Sequence, residues 1–177
     1  MGDGGIRAAA VPLDGRLVHL RPAEPRDESA FLAIFKDPTV DPWWQSADPD
    51  GDARELATDD ESGAWAIEVD GAVVGVILAG EETDPQYRHA SIDIVLAGSA
   101  QDRGLGSDAV RTVARWLFDV RRHHRITIDP AASNDRAIRA YERVGFKRVG
   151  VMRRYEGSRD GTFHDGLLMD MLAGELT

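Results

Sequence analysis

Gln101-Asp102-Arg103-Gly104-Leu105-Gly106-Ser107 joins two segments of different periodicity. Before it, Ser91-Ile92-Asp93-Ile94-Val95-Leu96 has the alternation and β-branched content of a strand. After it, Asp108 to Asp119 continues a helical spacing through Gly106, Val110, Val113, Ala114 and Leu117. A strand, a glycine-bearing loop and a helix in that order can form an anion site. The glycines allow a tight turn, and the helix N-terminus offers free N–H groups and positive dipole density. A loop with two glycines here is also commonly a plain connection, so its reading depends on the rest of the chain.

The 177 residues suffice for one domain with a substantial core and not for two comfortable ones. Residues 1–14 read as a flexible N-terminal tail and residues 15–177 as a single domain. No apolar run approaches the roughly 20 residues that span a bilayer, and the N-terminus lacks an export signal's apolar region. No membrane association is expected, and a cytoplasmic location is. The chain has no cysteine, which excludes disulfides, thiolate metal sites and a cysteine nucleophile. The five histidines show no metal-ligand spacing with acids, so no metal is expected.

A formal net charge of -10 argues against nucleic-acid binding and favours a cationic partner. The charge is uneven. Residues 41–93 carry fourteen acids against Arg54 and Arg88, whereas residues 101–148 carry eleven Arg/Lys against six acids. Such asymmetry suits two ligands of opposite sign.

In chain order, Leu17 to Arg21 reads as a first strand and Pro25 opens a helix with Phe31, Leu32, Ile34 and Phe35 on one face. Asp41-Pro42-Trp43-Trp44-Gln45 has too much Pro and Asp for regular structure, and residues 48–60 are acidic and at most a short helix. Ala64–Val69 and Ala72–Leu78 flank Asp70-Gly71 as a hairpin. Glu81-Glu82-Thr83-Asp84-Pro85 reads as an acidic loop. A short strand Ile126–Ile128, a helix Asn134–Val144 capped by Gly145, and a hairpin Lys147–Tyr155 with Thr162–Leu172 complete the chain. This order predicts an α/β (α+β) fold: a mixed sheet of about seven strands with helices on both faces.

Two motifs coincide. Gln101-x-x-Gly104-x-Gly106 resembles the pyrophosphate loop of the GNAT acetyltransferase superfamily, and Asn134-x-x-Ala137-x-x-x-Tyr141-x-x-x-Gly145-Phe146 resembles its second cofactor segment. The element order from about Leu17 onward is similar as well. Within the superfamily, Trp43-Trp44, Ile92-Asp93, Asp129-Pro130 and Ser133-Asn134-x-Arg136-Ala137-Ile138-Arg139 resemble aminoglycoside 6′-N-acetyltransferases. Phe163-His164-Asp165-Gly166 instead resembles ribosomal-protein N-terminal acetyltransferases, which leaves the acceptor open. The resemblance implies a GNAT-like, mostly antiparallel sheet whose splayed strand pair holds acyl-CoA, with acetyl-CoA as co-substrate.

The resemblance implies that Gln101, Asp102, Arg103, Gly104, Leu105, Gly106 and Ser107 bind the pyrophosphate, and Arg103 can add a charge-assisted contact. It sets main-chain groups of Ile94, Val95 and Leu96 against the pantetheine arm, which requires that strand to leave its neighbour. Asn134 is an N-cap, a cofactor contact, or both. Asp93, between two isoleucines, is either a satisfied structural acid or a group that faces the amine and takes its proton. Asp129 is either an ordinary strand-end turn residue or a second anion for a polycation. Of the adjacent tryptophans Trp43 and Trp44, at least one is presented to a cleft or packs in a lid. Tyr141 is a core residue by periodicity, and the resemblance implies a general acid beside the coenzyme A sulfur. The absence of cysteine rules out an acetyl-cysteine intermediate and supports direct attack of the amine in a ternary complex.

These residues predict an N-acetyltransferase for a cationic small-molecule amine, most specifically the 6′-amine of an aminoglycoside. Catalysis is expected from Asp93 and Tyr141, and acceptor binding from Trp43, Trp44, Asp93 and Asp129. Protein N-termini, polyamines and a non-catalytic acyl-CoA-binding module are the alternatives, in a monomer or homodimer.

Overall fold

A computed structural model describes residue 6 and residues 11–44, 46–58 and 63–177. Thirteen elements follow in order: β1 (Leu13–Asp14), β2 (His19–Pro22), α1 (Glu28–Phe35), α2 (Asp41–Trp44), α3 (Pro49–Thr58), β3 (Gly63–Val69), β4 (Ala72–Glu82), β5 (His89–Leu96), α4 (Leu105–Asp119), β6 (Arg125–Ile128), α5 (Asp135–Glu142), β7 (Lys147–Gly157) and β8 (Phe163–Leu172). The eight strands form one sheet in the order β1-β2-β3-β4-β5-β6-β8-β7. Among the described residues, β5 and β6 are the one parallel pair and the other neighbours run antiparallel. One strand more than expected arises because two residues of the expected tail, Leu13 and Asp14, pair with β2. Ile6 is also buried in the core, and the rest of residues 1–10 lie outside the described residues.

The period of two along β3 and β4 divides the core into two layers. Trp65, Ile67, Ile77 and Ala79 pack with α4 and α5 through Val110, Val113, Leu117 and Ile138. Ala64, Ala66 and Val76 face the other way, onto Phe31, Ile34 and Phe35 of α1 and Ala53, Leu56 and Ala57 of α3. Helices therefore cover both faces. The β3–β4 turn has Asp70 at φ 52° and Gly71 at φ 77°, the two left-handed residues that a type I′ hairpin needs.

Three local expectations change. Residues 41–44 form a single helical turn, α2, closed by Trp43 and Trp44 N–H groups that donate to the Val40 carbonyl; Gln45 lies outside the described residues. Most of the acidic stretch is the ten-residue helix α3, with Asp59 and Asp60 outside the described residues. Its signal was present in Asp48-Pro49: Asp48 Oδ1 accepts the Gly51 N–H at 3.0 Å, and proline needs no N–H at the first helical position. Glu81 belongs to β4 rather than to a solvated loop. It is buried against Arg121 at 2.7 Å and His123 at 2.6 Å.

Beside the first strands, Arg21 holds two carboxylates. Its guanidinium binds Asp27 through two 2.9 Å contacts and Glu68 at 3.0 and 3.1 Å. Burial pushes the Asp27 carboxyl up, but Arg21 and the Glu24 N–H outweigh it and hold it below its ordinary value. This stabilisation is present at neutral pH and is lost in acid, as pH falls from the ordinary aspartate value through the lowered one of Asp27. Arg21→Ala leaves a buried charge unpaired and is expected to cost about 3–5 kcal/mol in urea unfolding at pH 7, with a smaller loss at low pH.

Candidate active site

The parallel pairing of β5 with β6 consists of Ala90 with Ile126 and Ser91 with Thr127. Beyond these rungs the strands diverge. The Ala97 N–H donates to Val74 of β4, so by alternation the main-chain groups of Ile94 and Leu96 point away from β4, into the gap. There the Ile94 N–H donates to its neighbour Asp93 Oδ1 at 2.9 Å, and the Leu96 carbonyl accepts from Gln101 Nε2 at 3.0 Å. Side chains alternate too. Ile94 and Leu96 pack with the α4–α5 layer, whereas Val95 joins the α1–α3 layer and Asp93 projects to that same side.

A cavity of about 460 Å³ runs through this gap. One end is lined by Gln101, Asp102, Gly104, Gly106, Ser107, Asn134, Arg136 and Arg143, and the other by Trp43, Trp44, Asp93, Asp129, Tyr155 and Glu156. Ile94, Val95, Leu96 and Tyr141 also line it. Arg103 and Leu105 do not: Arg103 is exposed on the loop, and the Leu105 side chain is buried in the core.

At the first end, Asp102 (φ 58°) and Gly104 (φ 79°) are both left-handed with Arg103 between them, immediately before α4. Such an alternation forms an anion-binding nest, and the fifteen-residue helix behind it adds its dipole. The Gln101 side chain bridges the Leu96 carbonyl to Arg136. Asn134 caps α5, accepting the Ala137 N–H at 3.1 Å while lining the cavity. These groups suit an elongated anion whose polar arm can pair with the free edge of β5.

The other end is acidic. Asp93 is open to solvent in the cavity, yet protein crowds it at the cleft floor. Burial, with added repulsion from Asp129 and Glu156, raises its carboxyl to about 6 against the pull of the Ile94 N–H. Burial also raises Asp129, partly offset by a hydrogen bond from Tyr155, and raises Glu156 with help from the Asp129 charge. Tyr141 is pushed well above its ordinary value by burial first and then by Asp93 and Asp129. It therefore stays protonated as an O–H donor at neutral pH. Both tryptophans line the cavity, but Trp44 also stacks on Phe35 at 5.1 Å, whereas Trp43 is more exposed. The Trp44 Nε1 is buried without a hydrogen-bond partner among the described residues.

Sequence reasoning missed Tyr155 and Glu156. Their strand has no readable periodicity, and consecutive residues of a regular strand would not both reach one cavity. Among the described residues, no group of three or more potential metal ligands occurs, and no helix is long and apolar enough to cross a membrane. The carboxylate cluster predicts that Asp93 titrates near 6 in carbon-13 carboxyl spectra. Asp129→Asn should lower that value while leaving it above the ordinary aspartate range, because burial remains.

Comparison with known proteins gives this geometry a family. The chain is 44% identical over 78 residues to an aminoglycoside N(6′)-acetyltransferase type 1 of Klebsiella pneumoniae, which is 44% of this chain and 38% of that protein. The match thus spans well under half of that relative. The fold superposes on Mycobacterium smegmatis RimJ in complex with CoA-disulfide at a TM-score of 0.77 and 26% identity, covering 93% of this chain and 87% of that one. It also superposes on AAC(6′)-Ib in complex with ribostamycin and coenzyme A at a TM-score of 0.72 and 25% identity, covering 89% and 94%. Residues 17–147 match the acetyltransferase (GNAT) domain, and the chain belongs to that family.

Proposed function

We propose that this protein is an acetyl-CoA-dependent N-acetyltransferase whose acceptor is a polycationic small molecule, an aminoglycoside modified at its 6′-amine. The observation that carries this reading is the convergence of Asp93, Asp129 and Glu156 beside Trp43 and Trp44 at one end of a cavity whose other end suits an anion. Burial raises the proton affinity of all three carboxylates, the Asp129 charge adds to it at Asp93 and Glu156, and bound ammonium groups relieve both effects. The likeness to aminoglycoside-acetylating relatives supports the same acceptor.

Acetyl-CoA supplies an activated acyl group as a thioester. The nest at Asp102–Gly104 and the α4 N-terminus hold its phosphates, with Arg136 and Arg143 adding positive charge. The Ile94 N–H and Leu96 carbonyl pair with its arm once the Asp93 and Gln101 side chains yield them. Ionised Asp93 attracts the acceptor ammonium and takes its proton, directly or through water. The freed amine forms a C–N bond to the acyl carbon and the C–S bond breaks; Tyr141 donates its O–H proton to the departing thiolate and takes up the surplus proton that the new amide nitrogen loses. The raised Tyr141 still holds its O–H proton at neutral pH, and Asp93 near 6 is a base largely ready there.

A second reading, acetylation of protein N-termini, is favoured by Phe163-His164-Asp165-Gly166. Thiol-release assays with kanamycin-type aminoglycosides, polyamines and N-terminal peptides separate the two, and turnover of peptides alone removes the aminoglycoside reading. Because Asp93 must lose its proton to act, kcat/KM should rise with pH through about 6. Asp93→Asn should abolish that limb and lower kcat by roughly 10²-fold or more. Tyr141→Phe should lower kcat with coenzyme A affinity retained. Full rates in both variants would remove the roles assigned to these two residues, whereas coenzyme A binding with no amine acetylated would support a binding module.

A further inference from the structure

β7 departs from regular pairing where it meets the acceptor end of the cavity. Met152 pairs with Gly166 and Glu156 with His164, so Arg153, Arg154 and Tyr155 stand opposite the single residue Asp165. Arg154 is left-handed at φ 51°, a conformation unfavourable for a residue with a Cβ. Its N–H, expelled from the ladder, donates to Asp165 Oδ1 at 2.8 Å. Asp165 is fixed in turn, since its carbonyl accepts the Ala132 N–H at 2.8 Å from the loop that follows Asp129. The neighbouring Gly166 leaves room for the kink, because a Cβ there would stand 2.9 Å from the Tyr155 ring. In a regular strand Tyr155 and Glu156 would point to opposite faces. Here both line the cavity, and the Tyr155 hydroxyl bonds to Asp129.

We propose that Asp165 is a positioning residue for acceptor binding: by capping the Arg154 N–H it holds the β7 bulge that brings Tyr155 and Glu156 into the cleft together. The inference rests on the reading of this end of the cavity as the amine site, and it extends that reading to a residue that lines no part of the cavity. Bulges that re-aim side chains at a site are a known use of this irregularity. Asp165 thus acts on the acceptor through the shape of β7, and leaves the phosphate end of the cavity untouched.

The test uses the full chain labelled at the tyrosine ring carbon that bears the hydroxyl. The protein has three tyrosines, Tyr87, Tyr141 and Tyr155, so the spectrum is simple. In the wild type Tyr155 titrates above its ordinary value because the Asp129 charge and hydrogen bond oppose its ionisation. Asp165→Ala is expected to bring Tyr155 down toward about 10 while Tyr141 stays raised. In the same variant the acceptor KM should rise about tenfold, with kcat and coenzyme A affinity little changed. Asp165→Asn keeps the accepting Oδ1 and should behave as the wild type. An unchanged Tyr155 titration in Asp165→Ala overturns the proposal. So does an Asn variant as impaired as Ala, or a parallel fall of Tyr141, which would mark a general structural role. If the wild type acetylates no amine, the functional reading fails, and the titration still decides what Asp165 does.

Discussion

β5 and β6 share two rungs, Ala90 with Ile126 and Ser91 with Thr127, and then part. A buried sheet edge cannot leave its main-chain groups unsatisfied, so the divergence needs substitutes. Asp93 and Gln101 provide them at Ile94 and Leu96. Both are replaceable partners, because a side chain can rotate away when a better-placed ligand arrives. The gap is therefore held open by the two helical layers and kept satisfied by groups that also face the cavity. Most of the site follows from this arrangement. The α4 loop stands at one end of the gap, Asp129 at the end of the strand that turns away, and Asp93 at its floor.

The two ends are opposite in charge, and the fold explains how they stay apart. The nest and the α4 N-terminus lie on the side of the sheet packed by α4 and α5, whereas Asp93 projects to the side covered by α1 and α3. Two reactants of opposite sign can approach from opposite faces and meet inside the gap. Burial of Asp93, Asp129 and Glu156, with repulsion of the first and last by Asp129, makes ionising the empty acceptor end costly, and a polycation offsets that cost. Burial, and then the charges of Asp93 and Asp129, keep the Tyr141 proton in place at neutral pH.

What could be read from the chain was local. The loop Gln101–Ser107 and the Asn134–Phe146 segment carry their information in spacing, and Asp93 stands out because a carboxylate between two isoleucines demands an explanation. Asp129 was readable because a strand end fixes where the next residue goes. Other features depend on partners far along the chain. Glu81 looked solvated until Arg121 and His123, some forty residues later, closed over it. Tyr155 and Glu156 reach the cleft through a bulge set by Asp165 on another strand, which no periodicity of β7 announces. The length of helix α3 was hidden differently: Asp48-Pro49 marks its start, but its buried face is made of Ala53, Leu56 and Ala57, which stand out little against the acids around them.

The central claim is that the parted edge of β5 is the seat of the cofactor's arm. A crystal structure of the protein with coenzyme A tests it most directly. The account predicts phosphates against residues 102–107 and the arm lying in the gap between β5 and β6. The Ile94 N–H should donate to that arm in place of Asp93, and the sulfur should lie beside the Tyr141 hydroxyl. Coenzyme A bound outside the gap, with Asp93 still accepting the Ile94 N–H, would contradict it.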